Sequence, residues 1–258
     1  MFGLPFITDP LFYAFAIPAV LMVGITKTGV GGSNALGVSL MSFVIGVPQA
    51  TAILLPILCL TDLFGLWVFR GKWDWRNLKI MIPGATVGMI LGTLTFRYLD
   101  SAMVKALVGG VAIWFAVAQF LPMIRKREVV PSGPDVVKGS FWAAVSGFTS
   151  FISHAGQPPY SIYMIPQRLD KTLFLGTTAF FFAYVNYFKL VPFWWLGQLN
   201  LTNMATSLVL VPLIPVGLVI GLWIQRQLSP GMFYKVVLVL LALTGVKLIV
   251  DAAIELFF

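Results

Sequence analysis

The residues best suited to chemistry in this sequence stand at two interruptions of long apolar runs. The first interruption, residues 26–34, contains Lys27 and three glycines, and the second, residues 153–160, contains His154, the only histidine of the chain. Glycines permit a tight turn and close backbone approach, and the free N–H groups at a helix start attract anions. The second interruption has prolines, which suit a helix start, where the first has glycines. Both segments therefore predict a site for a small anion.

The predicted substrate-binding residues come from these two segments. They are Lys27, Thr28, Gly29, Gly31, Gly32, Ser33, Asn34, Ser153, His154, Gly156, Gln157 and Tyr160. Other interpretations stay open: the glycines could serve helix packing, Lys27 could satisfy loop carbonyls, and His154 could be a hydrogen-bonded core residue. Binding is the favoured interpretation, because a lysine beside a glycine break at membrane depth needs a functional reason.

Two further ionisable residues, Asp62 and Lys189, lie well inside apolar segments, where a charge is costly. They are 127 residues apart, the same separation as Lys27 and His154, so they are equivalent positions if the chain is duplicated. Two roles fit them. They could pair with each other and lock the halves together, or Asp62 could take up a proton in coupled transport; pairing is favoured. Asn186 is grouped with them as a coupling or structural residue and is a candidate for the polar lining of the site.

The elements that must position these residues are membrane-spanning helices. Hydrophobic residues make up 59% of the chain and charged residues 10%, against about 25% charged in soluble domains. Residues 1–24 carry no Lys or Arg, so we expect the first span to be retained and not cleaved as a signal peptide. Apolar segments run over 10–26, 31–47, 48–69, 78–99, 102–124, 139–153, 157–166, 172–196, 203–225 and 233–256. The sequence predicts an all-α polytopic membrane protein.

The polar stretch 125–138 divides the chain into two similar halves, a first repeat over 1–124 and a second over 139–258. The offset of 127 residues also aligns Thr51 with Thr178, and an offset of 129 aligns Gly88 with Gly217. Each half should contain one re-entrant or broken-helix hairpin and three transmembrane helices. An odd number of crossings inverts the second half relative to the first, as in many transporters.

Charge distribution predicts the orientation of the chain. The loop at 70–79 and the linker at 125–138 concentrate Lys and Arg, which puts both in the cytoplasm and both termini outside. The net charge of +8 is scattered over short loops, so nucleic acid is not an expected partner. The expected partners are the lipid bilayer and a small anion.

The sequence gives little support for a metal site, a bound cofactor or an enzyme activity. The single cysteine, Cys59, excludes an internal disulfide and a cysteine metal cluster, and one histidine offers no metal set. A membrane-embedded enzyme would need clustered catalytic carboxylates, whereas Asp62 is isolated. We expect no cofactor and no catalytic residues. An anion channel would share the predicted site but lack alternating access.

The hairpin Gly29-Val30-Gly31-Gly32, repeated in degenerate form near Gly156, resembles the TauE/SafE sulfite exporter family over nearly the whole chain. That resemblance implies two homologous halves and movement of sulfite, sulfonates, sulfoacetate or other organic anions across the bacterial cytoplasmic membrane. The second motif departs from the family pattern at Gln157, Pro158 and Pro159. The resulting prediction is a secondary transporter or exporter of a small sulfur-containing anion. The exact anion, the direction, the coupling ion and the oligomeric state stay open.

Overall fold

A computed structural model describes residues 6–27, 34–96, 98, ten positions between 102 and 117, 131–227 and 229–257. Most of these residues are helical, including the ten positions between 102 and 117. The helices are α1 Pro10–Ile25, α2 Ala35–Met41, α3 Val47–Val68, α4 Trp75–Thr95, α5 Val136–Ser153, α6 Gln157–Met164, α7 Lys171–Trp195, α8 Leu201–Leu210, α9 Leu213–Gln227 and α10 Pro230–Phe257. A short 3-10 turn, Ile165–Gln167, follows α6.

Five of these helices begin at an Asp or Asn whose side chain accepts hydrogen bonds from the first-turn N–H groups. The capping residues of α1, α4, α5, α7 and α8 are Asp9, Asp74, Asp135, Asp170 and Asn200. The N–H of Thr172 donates to Asp170 and holds the pKa of that exposed carboxyl below its usual value. These four aspartates and one asparagine therefore stabilise the helix starts and define where the five helices begin.

Three described helices, α3, α4 and α7, are long and apolar enough to cross a membrane. The pair α8 and α9 passes the same test together but is bent by 49°, which gives up to four candidate spans among the described residues. The prediction of an all-α, multi-pass membrane protein is confirmed. Three full crossings in each half remain a prediction.

The apolar segment predicted over 203–225 consists of two helices, α8 and α9, with a bend between them. Helix α8 ends at Leu210, and α9 starts at Leu213. Pro212 and Pro215 both lack an N–H to donate to the carbonyls four residues earlier, and the chain bends at this pair, whereas α1, α3, α4 and α7 each continue past a single internal proline.

The chain break predicted near His154 lies where the sequence indicated. Helix α5 ends at Ser153, His154 adopts a left-handed conformation with φ of 53°, and α6 starts at Gln157. A side chain at Gly156 would come within 2.8 Å of the Ser146 carbonyl oxygen, so this turn requires glycine. The first break separates α1 from α2, and its residues 28–33 are not among those described.

Helices of one half pack closely on helices of the other. Helix α4 lies on α5, where a Cβ added to Gly88 would be 1.9 Å from the Ala144 carbonyl oxygen. Helix α1 lies on α9, where a Cβ added to Gly217 would be 2.7 Å from the Leu21 carbonyl oxygen. Gly88 and Gly217 are the positions that the repeat aligns. Close contact through small residues is the usual means of joining helices in membranes.

Candidate functional site

The site is built around Asp62, which lies on α3 where that helix packs against α7. Lys27, at the end of α1, forms an ion pair with Asp62 Oδ1. Asn186 of α7 donates through Nδ2 to Asp62 Oδ2 at 2.7 Å. The Asp62 side chain is fully buried, whereas that of Lys27 is 10% exposed. One cation and one amide thus satisfy the two carboxylate oxygens of Asp62.

The second part of the site is built around Lys189, one turn after Asn186 on α7 and completely buried. Its Nζ donates to the carbonyl oxygen of Ser150 at 3.2 Å, to Ser150 Oγ at 3.1 Å and to His154 Nδ1 at 2.9 Å. His154 Nε2 is 3.1 Å from the carbonyl oxygen of Thr51. Both histidine contacts are satisfied when Nε2 carries the proton and Nδ1 accepts, which is a neutral imidazole. All three acceptors of the Lys189 ammonium are therefore neutral.

The expected pairing of Asp62 with Lys189 is wrong. Each of the two residues bonds to the residue 35 positions before it, Asp62 to Lys27 and Lys189 to His154. The same spacing of 35 residues within each bonded pair fits the predicted repeat, in which Lys27 aligns with His154 and Asp62 with Lys189. The sequence could not predict which partner each would contact, because that depends on where the ends of α1 and α5 lie relative to α3 and α7.

A cavity of about 50 Å³ adjoins Lys27, larger than one water molecule requires. The first break contributes Lys27 and Asn34, and the second contributes Gln157. The described residues that line it are Thr26, Lys27, Asn34, Gln157, Leu175, Thr178, Ala179 and Phe182. Thr26 Oγ1 donates to Asn34 Oδ1 at 3.3 Å, which ties the two sides of the first break together. The two chain breaks therefore meet at one small, partly polar cavity.

Comparison with known protein families shows the family of the chain. A family model described as sulfite exporter TauE/SafE matches residues 15–248, which include both breaks and both bonded pairs. The chain belongs to the TauE/SafE sulfite exporter family. No curated protein and no solved structure matches the chain. The family resemblance predicted from the glycine-rich hairpin is confirmed, and a transporter family is consistent with the expectation that the chain is not an enzyme.

Three of the predicted binding residues of this TauE/SafE member line the cavity: Lys27, Asn34 and Gln157. Four others are buried close by but outside its lining: Ser153, His154, Gly156 and Tyr160. Asp62, Asn186 and Lys189 form the polar layer between α3 and α7. Thr28, Gly29, Gly31, Gly32 and Ser33 lie outside the described residues, so their predicted role stays a prediction.

Two polar lining residues, Thr26 and Thr178, were not predicted. Thr178 Oγ1 lies 2.8 Å from the hydroxyl of Tyr160 and so connects the cavity wall to the second break. The predicted repeat offered a signal for it, because it aligns Thr178 with Thr51, whose carbonyl contacts His154. A search for polar residues at equivalent positions would have found Thr178.

The second break offers fewer backbone donors than the sequence indicated. Pro158 and Pro159 follow Gln157 in the first turn of α6, and prolines have no N–H. Gln157 is the residue of this break that lines the cavity, and its side-chain amide makes a long bond of 3.4 Å to Ser161. Anion recognition at this break therefore depends on a side chain more than on a helix N-terminus.

The charges of the site favour an anion. Lys27 and Asp62 balance each other, and no carboxylate among the described residues pairs with Lys189. With both lysines protonated, Lys27, Asp62 and Lys189 together carry one excess positive charge. Among the residues that the structure describes, no three His, Cys, Asp or Glu side chains gather where they could hold a metal ion. The cavity itself offers an ammonium, two amides and two hydroxyls.

Proposed function

We propose that this TauE/SafE family member is a secondary transporter or exporter of a small sulfur-containing anion of the sulfite, sulfonate or sulfoacetate type. The anion would cross the bacterial cytoplasmic membrane by alternating access of the protein to its two sides. The observation that carries the proposal is the cavity at which both chain breaks meet, with the Lys27 ammonium in its wall. Membership of the family supports the substrate class.

The chemistry of the cavity suits an oxyanion. Sulfite and sulfonate oxygens only accept hydrogen bonds, and the Lys27 ammonium and the amides of Asn34 and Gln157 can donate to them. Charge-assisted bonds of this kind are stronger than neutral ones. Leu175, Ala179 and Phe182 complete the wall and give room for a short apolar substituent, as a sulfonate has. The one charged side chain among the described lining residues is the Lys27 ammonium, which attracts an anion and repels a cation.

Alternating access is supported by the reciprocal packing of the two halves. We propose that residues 1–124 and 139–258 are inverted repeats joined by the linker 125–138. Helix α1 of the first half packs on α9 of the second, and α5 of the second packs on α4 of the first. Helices α3 and α7, which are equivalent, pack on each other. A symmetric exchange of contacts of this kind suits rocking of one bundle against the other around a central site.

The orientation follows from the basic residues at one end of the helices. Arg70, Lys72, Arg76 and Lys79 are exposed between the end of α3 and the first turns of α4, and Lys138 is exposed at the start of α5. By the positive-inside rule this end faces the cytoplasm. The linker 125–138 would then be cytoplasmic, and both termini would lie outside.

The experiment that tests this proposal is thermal stabilisation of the detergent-purified protein by separate anions. The panel is sulfite, methanesulfonate, sulfoacetate, taurine, sulfate and acetate. A ligand at 100 times its Kd should stabilise the folded state by about 2.7 kcal/mol. We expect sulfite or a sulfonate to raise the unfolding temperature more than acetate does.

The decisive variant removes the cavity charge without leaving a buried charge unpaired. Lys27→Met combined with Asp62→Asn should abolish the stabilisation by the anion. The matched control is Lys247→Met combined with Asp251→Asn, which removes another intramembrane ion pair, on α10, away from the cavity. Equal stabilisation of both double variants by sulfite would contradict the proposed site.

A further inference from the structure

Lys27 has two contacts that compete with each other. Its ammonium pairs with Asp62, and the same side chain lines the cavity. An anion in the cavity adds a second negative partner to this one cation. Asp62 is completely buried, and Asn186 is its other hydrogen-bond donor. Any shift of Lys27 toward an anion therefore leaves a buried carboxylate held by a neutral amide.

We propose that anion binding at Lys27 is coupled to the uptake of one proton by Asp62, so that the protein carries an anion and a proton together. This inference rests on the proposed function. A buried carboxylate without a cation is strongly unfavourable, and protonation removes its charge. The proton comes from water on the side to which the cavity opens and binds an Asp62 carboxylate oxygen. It leaves when the anion departs and Lys27 pairs with Asp62 again.

The charges balance over this cycle. Before binding, the pair consists of one ammonium and one carboxylate. After binding, it consists of the ammonium, the anion and a neutral carboxylic acid, so the net charge is unchanged for a monovalent anion. Transport of such an anion is then electroneutral. Its direction is set by the combined gradients of anion and proton, and export requires an outward anion gradient larger than the opposing proton gradient.

The second pair cannot take this role. His154 Nδ1 accepts from Lys189 and Nε2 contacts the Thr51 carbonyl, so protonation of His154 would place N–H against the ammonium of Lys189. The other titratable groups near Asp62 are Cys59 on its own helix, and Tyr187 and Lys189 on α7. Lys189 is the competing partner. If Asp62 moved to Lys189 when Lys27 left, no proton would be needed.

The test measures how many protons are taken up as methanesulfonate binds, since this anion keeps one negative charge at all working pH values. Titration calorimetry of the full-length protein in buffers of different ionisation enthalpy gives that number. For the wild type we expect the uptake of about one proton per bound anion near neutral pH. The affinity for methanesulfonate should then fall by up to about tenfold for each unit by which the pH rises. Asp62→Asn should bind methanesulfonate with no proton uptake and no such pH dependence.

The control is Asp251→Asn, an intramembrane carboxylate paired with Lys247, which should behave as the wild type. Binding of methanesulfonate to the wild type without proton uptake would overturn the coupling and leave the proposed function intact. Proton uptake by Asp62→Asn would overturn the assignment to Asp62. If the wild type bound neither methanesulfonate nor sulfite, the proposed function would fail, and the coupling with it. The wild-type proton count decides the question even if Asp62→Asn does not fold.

Discussion

The two predicted halves of this TauE/SafE member each contain a bonded pair, at positions that the predicted repeat aligns, but the chemistry of the two pairs differs. In the first half a base and an acid, Lys27 and Asp62, form a charge-balanced pair whose cation lines the cavity. In the second half two bases, His154 and Lys189, share a hydrogen bond away from the cavity wall. The first pair thus supplies a contact that a ligand can change, while the second holds a buried base among neutral partners. Four predictions test this difference.

The largest effect on stability should come from breaking the acid–base pair. Lys27→Met leaves Asp62 buried without its cation, which should lower the free energy of unfolding by about 3–5 kcal/mol. Adding Asp62→Asn removes the unpaired charge and should restore most of that loss. Thermal unfolding in detergent, followed by tryptophan fluorescence, measures both. Equal losses in the single and the double variant would mean that the pair does not carry this part of the stability.

The next largest loss of stability should come from overpacking two helix contacts at positions that the predicted repeat aligns. Gly88→Ala would put a methyl group 1.9 Å from a backbone oxygen, and Gly217→Ala would put one 2.7 Å from another. Overpacking of this kind costs about 1–3 kcal/mol, and we expect Gly88→Ala to lie at the upper end and Gly217→Ala well below it. Gly110→Ala, where nothing lies within 4 Å, is the control and should be neutral or stabilising. A larger loss for Gly217→Ala than for Gly88→Ala would contradict the packing.

A smaller effect is expected from removing the buried base of the second half. Lys189→Met leaves neutral acceptors on Ser150 and His154, and no buried carboxylate loses its cation. The loss should be about 1.5–3 kcal/mol, the range for hydrogen bonds to a charged group, and below that of Lys27→Met. The same thermal unfolding assay compares them. If Lys189→Met were the more damaging change, the two pairs would not differ as described.

The smallest effect is on binding alone. Gln157→Ala should weaken sulfite binding by about 1 kcal/mol, roughly fivefold, with the unfolding temperature of the free protein unchanged. The reason is that its side chain faces the cavity and makes one weak bond, to Ser161. Gln49→Ala, which removes a 3.3 Å bond to Asn203, is the control and should not alter binding. Unchanged sulfite affinity in Gln157→Ala would remove Gln157 from the site.

Sequence reasoning found the features that depend on local chemistry. Apolar length predicted the helices, and the break after Ser153 follows from a histidine, a glycine and two prolines in six residues. The bend before Leu213 was missed, although Pro212 and Pro215 signal it. The partner of Asp62 could not be predicted, because a separation of 127 residues identifies equivalent positions and says nothing about which ends of helices meet. That information depends on the packing of α1 and α5 against α3 and α7.

Counterflow in proteoliposomes tests the central claim most directly. Vesicles loaded with unlabelled sulfite under argon are diluted into a trace of ³⁵S-labelled sulfite. A carrier that alternates around the Lys27 cavity should accumulate the label transiently above its outside concentration. The double variant Lys27→Met with Asp62→Asn should not, while Lys247→Met with Asp251→Asn should behave as the wild type. Label that only equilibrates in wild-type vesicles, with no overshoot, would contradict alternating access and favour a channel.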